Sequence, residues 1–168
     1  MAIKQNIILI GPAGAGKSTI GKLLSEYLHV DFFDSDSVIE QRAGADIGWI
    51  IDIEGECGFR HREENIINSL TEKTNIVLAI GDGAIINKRN RNRINARGYV
   101  IYLATSIEKQ LSRAKRDKSD NSLLRDKLEM MIKEREPLYQ NTSDIIIDTD
   151  NKNVNVIVNE IIEYINKK

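Results

Sequence analysis

The sequence is poor in the residues that build covalent cross-links and metal clusters: it has one cysteine, Cys57, and two histidines, His29 and His61. A single thiol excludes an internal disulfide, and so few sulfur and imidazole ligands exclude a zinc cluster of cysteine and histidine. Two prolines and eleven glycines are too few for a collagenous or proline-rich linker protein. These scarcities exclude structural classes but leave the function open.

Long apolar runs and a dominant charge sign are also missing. No run reaches the roughly 18 apolar residues that a membrane-spanning helix needs, and the first residues, MAIKQNIILIGPAG, lack the charged start and cleavage site of a signal peptide. Lysine and arginine total 24 against 25 aspartate and glutamate, so a surface that coats nucleic acid is not expected. The 168 residues, 41% hydrophobic and 29% charged, predict a single domain over residues 1–168. We expect a cytoplasmic monomer without a nucleic-acid or membrane partner.

Short apolar runs alternate with helix-period stretches along the whole chain. Five runs predict strands, at residues 5–10, 30–33, 76–80, 99–103 and 145–147. Spacing of three and four between apolar residues predicts helices at 17–28, 37–42, 47–53, 56–70, 107–116, 128–139 (ended by Pro137) and 154–165. A polar stretch at 117–124 predicts a loop. Alternation of this kind predicts an α/β fold of three layers, with a five-stranded parallel sheet between helices.

Residues 11–18, GPAGAGKS, match the phosphate-loop pattern G-x-x-x-x-G-K-[ST] between a predicted strand and a predicted helix. The glycines let backbone N–H groups turn inward around a phosphate, and the helix adds its positive N-terminus. Lys17 would reach the β- and γ-phosphates, and the Ser18 hydroxyl would bind Mg²⁺. Residues predicted to bind ATP around this loop are Gly14, Ala15, Gly16, Lys17, Ser18 and Thr19.

A phosphate loop indicates a nucleoside triphosphate but leaves the phosphoryl acceptor open. Asp34 and Asp36 follow the second strand, where ligands of an open parallel sheet lie. They could orient the waters of Mg²⁺ and accept a hydroxyl proton, or one of them could simply cap the following helix.

Two further features bear on the acceptor. Arg60 could bind a carboxylate with its planar fork, or it could be a surface arginine paired with Glu63 and Glu64 at i+3 and i+4. Gly81 and Gly83 follow the third strand, where glycines permit close approach to a ligand, although an ordinary strand-to-helix turn would also use them.

The order and spacing of these blocks resemble the shikimate kinases, a family of phosphate-loop folds of the nucleoside-monophosphate-kinase type, over nearly the whole chain. The blocks that carry the resemblance are GPAGAGKSTIG, FDSDSVIEQRAGADIGWIIDIEGECGFRHRE, VLAIGDGAI, YLATSIEKQLSRAKRDK and EREPLY. The resemblance implies a phosphate-loop kinase that transfers the γ-phosphoryl group of ATP to the 3-hydroxyl of shikimate, a step of aromatic amino-acid biosynthesis through chorismate.

The resemblance also implies roles for individual residues. Lys17 and Ser18 match the phosphate-loop lysine and the Mg²⁺ hydroxyl, and Asp34 matches a carboxylate near the waters of the metal. Arg113 matches an arginine on the adenine side. The catalytic residues are then Lys17, Asp36 and Asp34, and the metal ligands are Ser18 and Asp34.

Shikimate itself would be held by a second group of residues. Asp36 matches the aspartate that binds the acceptor hydroxyls and would take the proton, whereas Arg60 and Arg135 match the arginines that hold the substrate carboxylate. The remaining substrate positions implied are Gly81, Asp82 and Gly83. The substrate-binding region would span about 34–62, with a lid at about 112–124 that closes over both ligands.

This chain departs from the family pattern at the substrate loop, where Asp82 replaces the middle glycine of Gly-Gly-Gly. A carboxylate there would repel phosphate and substrate unless it turned away or bound Mg²⁺.

The lid departs as well, because the family reads R-D-K-x-R-P-L-L, and the arginine position here falls on Asp120 or Asn121. Such an arginine is worth roughly 10³–10⁵ in rate. Lys118, Arg116 or Arg125 could replace it. Two hypotheses follow from these departures: a working shikimate kinase with a modified lid, or a catalytically impaired relative that binds nucleotide or a partner.

Overall fold

The computed structural model describes residues 6–114 and 122–168, and its centre is a five-stranded parallel sheet. The strands are β1 (Asn6–Ile10), β2 (Asp31–Asp34), β3 (Ile76–Ala79), β4 (Gly98–Ala104) and β5 (Ile145–Asp148). They lie in the order β2-β3-β1-β4-β5, and all four neighbouring pairs are parallel. The predicted α/β class with five parallel strands is confirmed.

Helices connect the strands and cover both faces of the sheet. They are α1 (Lys17–Leu28), α2 (Ser35–Ala43), α3 (Ile47–Thr71), α4 (Lys88–Arg97), α5 (Ile107–Ala114), α6 (Ser122–Thr142) and α7 (Val154–Asn166). A short 3₁₀ turn, Ala84–Ile86, lies between β3 and α4. In the part of the chain that the structure describes, no helix is both long enough and apolar enough to cross a membrane.

Every residue of β1 is buried, and its side chains alternate between two cores. Ile8 and Ile10 belong to a core with α2, α3, α4 and α6, whereas Ile7 and Leu9 belong to a core with α1 and α7. A strand covered on both faces reads as a continuous apolar run rather than an alternating one. The helix layers on both faces complete the predicted three-layer architecture.

Of two further helix predictions, one is confirmed and one is wrong. The helices predicted at 47–53 and 56–70 are both present within α3, on either side of Gly55, whose non-helical φ of 75° and ψ of 171° separates them. Glycine adopts this conformation without a steric penalty. The prediction that Pro137 ends its helix is wrong, because α6 continues to Thr142. Beyond the proline, the Tyr139 ring is buried and stacks on Tyr102 with centroids 5.0 Å apart. Packing of this last turn outweighs the lost backbone hydrogen bond.

Two connections also differ from the sequence prediction. Helix α4 was not predicted, because KRNRNRINAR holds one large apolar residue, Ile94, and shows no apolar periodicity. The loop predicted at 117–124 is wrong at Ser122–Leu124, which form the first turn of α6, and its earlier part lies outside the described residues.

The topology brings the carboxyl ends of three adjacent strands together. The glycine loop follows β1, Asp34 ends β2, and Gly81 lies just beyond β3. Because these strands are parallel neighbours, all three chain segments emerge at one edge of the sheet. This edge carries the candidate site.

Candidate active site

The glycine loop wraps the start of α1 with a backbone that only glycine adopts easily. Gly14 and Gly16 have φ values of 80° and 89°, in the left-handed region. No side chain of the described residues caps the N-terminus of α1, whereas an Asp or Asn caps α2, α3, α4 and α7. The first N–H groups of α1 are therefore available to an anion.

The Lys17 ammonium lies within this loop. Its Nζ donates to the carbonyl oxygens of Gly11 at 2.7 Å and Pro12 at 2.9 Å. Burial lowers the pKa of Lys17, although three nearby carboxylates, of which Asp82 acts most strongly, oppose this effect. The result is a half-buried cation that faces acidic groups across the mouth of the loop.

A cavity of about 300 Å³ opens in front of the loop. Its lining comes from the loop and from the ends of β2 and β3: Ala13, Gly14, Gly16, Lys17, Ser18, Thr19, Asp34, Asp36, Ile80, Gly81 and Asp82. Nine of the predicted site residues thus share one cavity. Neither Arg60 nor Arg135 lines it.

Asp34 has two roles at the entrance of this cavity. Its Oδ1 accepts a hydrogen bond from the backbone N–H of Ser37 at 3.1 Å and caps α2. Its Oδ2 accepts a hydrogen bond from the Ser18 hydroxyl at 2.5 Å. Oδ1 of Asp34 therefore caps a helix, as one of the two sequence interpretations predicted, while Oδ2 binds the hydroxyl of the phosphate loop. One hydroxyl and one carboxylate oxygen are ligands that suit Mg²⁺, which keeps waters and phosphate oxygens in its remaining positions.

Asp36 lies in the first turn of α2 and points at the substrate loop. Its Oδ1 is buried and has no hydrogen-bond partner among the described residues. Burial, followed by the charges of Asp34 and Asp82, raises the pKa of the Asp36 carboxyl to about 6. A β-carbon added at Gly81 would lie 2.5 Å from this oxygen, so glycine is needed there for Asp36 to approach. Such a carboxylate is a candidate proton acceptor.

Arg60 projects from α3 towards the other glycine of the loop. A β-carbon added at Gly83 would collide with the Arg60 guanidinium. The guanidinium also pairs with Glu63 at 2.9 Å and with Glu56 at 3.4 Å, so the predicted i+3 pair forms. Glu64, the other predicted partner, instead binds Asn87 and Arg89. Burial raises the pKa of Glu63 despite this pairing.

Asp82 pairs with Arg135 of α6. The Nη1 of Arg135 donates to Oδ2 of Asp82 at 2.9 Å, and the Tyr139 hydroxyl donates to the Asp82 carbonyl oxygen at 2.7 Å. The Nε of Arg135 is buried without a hydrogen-bond partner among the described residues. The Asp82 carboxylate therefore turns towards Arg135, while its residue still lines the main cavity.

A second cleft, of about 290 Å³, lies on the other side of the glycine loop. It is lined by Gly14, Ala15, Gly16, Thr19, Ile20, Arg113, Thr149, Lys152, Val154 and Ile157. Arg113 of α5 lines this cleft and donates to the carbonyl oxygen of Gly14, and its adenine-side role stays a prediction. The cleft shares Gly14, Gly16 and Thr19 with the main cavity, and part of its wall is apolar, as is common in small-molecule sites.

The lid prediction can be followed only in part. Residues 115–121, with Arg116, Lys118 and the Asp120 or Asn121 position, lie outside the described residues. Arg125, the remaining replacement considered, pairs with Glu108 of α5 at 3.1 Å and with Glu129 at 3.9 Å.

Some residues of the site were not predicted to act there. Tyr139 stands four residues after Arg135, a spacing that puts both on one face of a helix, and this signal could have linked them to the same loop. Lys152 lines the second cleft and follows β5 at the carboxyl edge of the sheet, where ligands lie. Glu63 was considered only as a surface partner of Arg60, yet its side chain is 2% exposed.

A five-stranded parallel sheet, a glycine loop that holds a half-buried lysine, and acidic side chains facing that loop across one cavity together define a phosphate-loop kinase. A sequence model of the shikimate kinase family matches residues 13–166. The chain therefore belongs to the shikimate kinase family, and the resemblance described above is confirmed.

Individual relatives agree over the full length. The chain is 52% identical to a shikimate kinase of Aliivibrio fischeri, with 100% of both chains covered. It is 53% identical to a shikimate kinase of Vibrio cholerae, over 98% of this chain and 97% of the relative. A solved shikimate kinase from Acinetobacter baumannii, in complex with shikimate, superposes with a TM-score of 0.91 at 41% identity, over 97% of this chain and 93% of that one. These matches favour a working kinase over the catalytically impaired alternative.

Proposed function

We propose that this chain transfers the γ-phosphoryl group of ATP to the 3-hydroxyl of shikimate. The observation that carries the proposal is one cavity that is lined by the phosphate-loop lysine, the Ser18–Asp34 pair and Asp36. The Oδ1 of Asp36 has no hydrogen-bond partner among the described residues. The family and the relative solved with shikimate support this acceptor.

ATP would lie along the glycine loop. Its triphosphate would accept hydrogen bonds from the uncapped N–H groups at the start of α1 and from the Lys17 ammonium. Its nucleoside would enter the second cleft, between the loop residues Gly14–Gly16 and Arg113. Ala15 and Thr19 line the same cleft. This arrangement directs the γ-phosphate into the main cavity.

Mg²⁺ would bind at Ser18 and Asp34, whose oxygens already meet. When bound, the ion neutralises charge on the phosphate oxygens during transfer. The protein contributes the hydroxyl and the carboxylate in fixed positions, and the capping bond from Ser37 holds Asp34 in place.

Shikimate would lie between Asp36 and the substrate loop. Its 3-hydroxyl would donate a hydrogen bond to Asp36, and its proton would pass to that carboxylate as the hydroxyl oxygen bonds to the γ-phosphorus. The bond from the γ-phosphorus to the bridging oxygen breaks, and ADP leaves. With a pKa of about 6, Asp36 is mostly ionised at pH 7.5 and can accept this proton. Arg60 and Arg135 would bind the carboxylate of shikimate.

The direct test is release of ADP from ATP and Mg²⁺ as a function of shikimate concentration. We expect shikimate-dependent ADP from the parent chain and a loss of at least about 100-fold in kcat for Asp36→Asn. Asp52→Asn, which removes an exposed carboxylate of α3, is the control and should retain the parent rate. If ADP release by the parent did not depend on shikimate, the proposal would be wrong.

The oligomeric state, location and partners of the enzyme are predicted from its sequence. We expect a monomer in the cytoplasm, with small-molecule substrates and without a nucleic-acid or membrane partner. The lid over residues 112–124 is expected to close over both ligands, and a basic residue of this stretch or Arg125 would have to serve the phosphates.

A further inference from the structure

Asp82 stands between the main cavity and the Arg135 guanidinium. It lines both the main cavity and a narrow cleft beneath α6, whereas Arg135 lines only the narrow cleft. A group that approached Arg135 from the main cavity would therefore meet Asp82 first. The ion pair between them, at 2.9 Å, joins side chains that are 30% and 12% exposed.

Helix α6 fixes Asp82 by two separate contacts. Arg135 binds its side chain, and the Tyr139 hydroxyl, one helical turn further on, binds its backbone carbonyl at 2.7 Å. The Tyr139 ring is itself buried against Tyr102. The position of Asp82 over Arg135 is thus held by packed groups and is not a chance contact of an exposed side chain.

We propose that Asp82 is an internal anion that competes with the carboxylate of the substrate for Arg135 and thereby sets the affinity for the acid. This inference rests on the proposed function, in which Arg135 binds that carboxylate. When the acid binds, the ion pair between Asp82 and Arg135 breaks. The net binding free energy of the acid is therefore smaller than its own interaction with Arg135 would give.

The charges around the cavity support competition rather than assistance. Among the described residues, Asp34, Asp36 and Asp82 line the cavity with one cation, Lys17, so a further anion enters an acidic environment. Removal of the charge of Asp82 would lower this repulsion and free a donor of Arg135 at the same time. The buried Nε of Arg135, without a partner among the described residues, is a second donor that a two-pronged carboxylate contact could use.

Asp82 could instead orient Arg135 for the substrate. In that case removal of Asp82 would weaken binding of the acid. Asp82→Asn tests this choice, because it keeps the shape of the side chain and an oxygen that can still accept from Arg135, but removes the charge. Asp82→Gly, which removes the whole side chain, is the second variant.

The experiment measures KM for shikimate and kcat by ADP release, at saturating ATP and Mg²⁺. We expect KM to fall about tenfold in both variants, as is typical for loss of one close, partly exposed competing charge. Glu56→Gln is the matched control: it removes an exposed carboxylate that pairs with the other arginine, Arg60, at 3.4 Å. Its KM should change by less than about twofold.

A binding measurement by calorimetry identifies the group that competes. The tenfold gain in affinity should appear with shikimate and should be absent with its methyl ester, which has no carboxylate charge. An unchanged or higher KM in both variants, or an equal gain with the ester, would overturn the inference while the activity of the parent left the proposed function intact. A parent without shikimate-dependent ADP release would overturn the proposed function, and this inference with it.

Discussion

Replacement of Asp36 by Asn should stabilise the folded chain, and the gain should grow with pH. Asp36 holds its Oδ1 in a buried position without a hydrogen-bond partner among the described residues, and burial with neighbouring charge raises the pKa of its carboxyl from 3.8 to about 6. An acid whose pKa is raised by folding binds its proton more tightly in the folded state. Stability therefore falls as pH rises from about 4 to about 6.

The magnitude follows from the two pKa values. Ionisation of Asp36 costs the folded state about 1 kcal/mol at pH 4.5 and about 3 kcal/mol at pH 8. The advantage of Asp36→Asn should thus increase by at most about 2 kcal/mol between these pH values, since the side chain is partly open to solvent. With a urea dependence of about 2 kcal/mol per molar, this corresponds to about 1 M in the unfolding midpoint.

The assay is urea unfolding of the parent and the variant at pH 4.5 and pH 8. Any effect of the amide that does not depend on pH cancels when the two pH values are compared. Asp52→Asn, an exposed change on α3, should stay within about 0.5 kcal/mol of the parent at both. If the stability difference between Asp36→Asn and the parent were the same at pH 4.5 and pH 8, folding would not raise the pKa of Asp36.

Three other predictions concern the same site. Because Asp82 contributes to the raised pKa of Asp36, Asp82→Asn should move the acidic limb of the pH profile of kcat/KM to lower pH; a limb that stays near pH 6 would exclude this coupling. Arg60→Ala should destabilise the fold by about 3 kcal/mol, since it leaves Glu63 buried and unpaired. In thermal melts, addition of Glu63→Gln should restore most of the stability but not the KM for shikimate, and recovery of both would remove Arg60 from the substrate site. Gly81→Ala should reduce kcat/KM by at least about tenfold, because the added methyl meets the Asp36 carboxylate; a rate equal to that of the parent would show that Asp36 moves away freely.

The parts of the fold that depend on local pattern could be predicted from the sequence. Five apolar runs give the strands, and the central strands β1 and β3, buried on both faces, show this most clearly. The glycine loop is visible because its left-handed positions require glycine. Helix α4 leaves no such trace, since Ile94 is its only large apolar residue, and Arg91 and Arg93 bind groups of other elements. The last turn of α6 depends on the packing of Tyr139, which outweighs the local effect of Pro137.

The candidate site shows the same division. Asp34 and Asp36 could be placed at the cavity because parallel strands end at a common edge. The partner of Asp82 could not be predicted, since Arg135 is 53 residues away and only the tertiary fold brings them together. The two outcomes considered for Asp82, turning away or binding a metal, did not include an ion pair with Arg135, the arginine predicted to bind the substrate. Ion pairs between side chains of different elements therefore could not be predicted from the sequence.

Transfer of the γ-phosphoryl group from ATP to one hydroxyl of shikimate can be followed by phosphorus NMR of the chain with ATP, Mg²⁺ and shikimate. We expect a new phosphomonoester resonance, coupled to the proton on carbon 3 of the shikimate ring, that grows in step with ADP. Formation of inorganic phosphate and ADP alone, or a phosphoester at another ring position, would exclude transfer to the 3-hydroxyl.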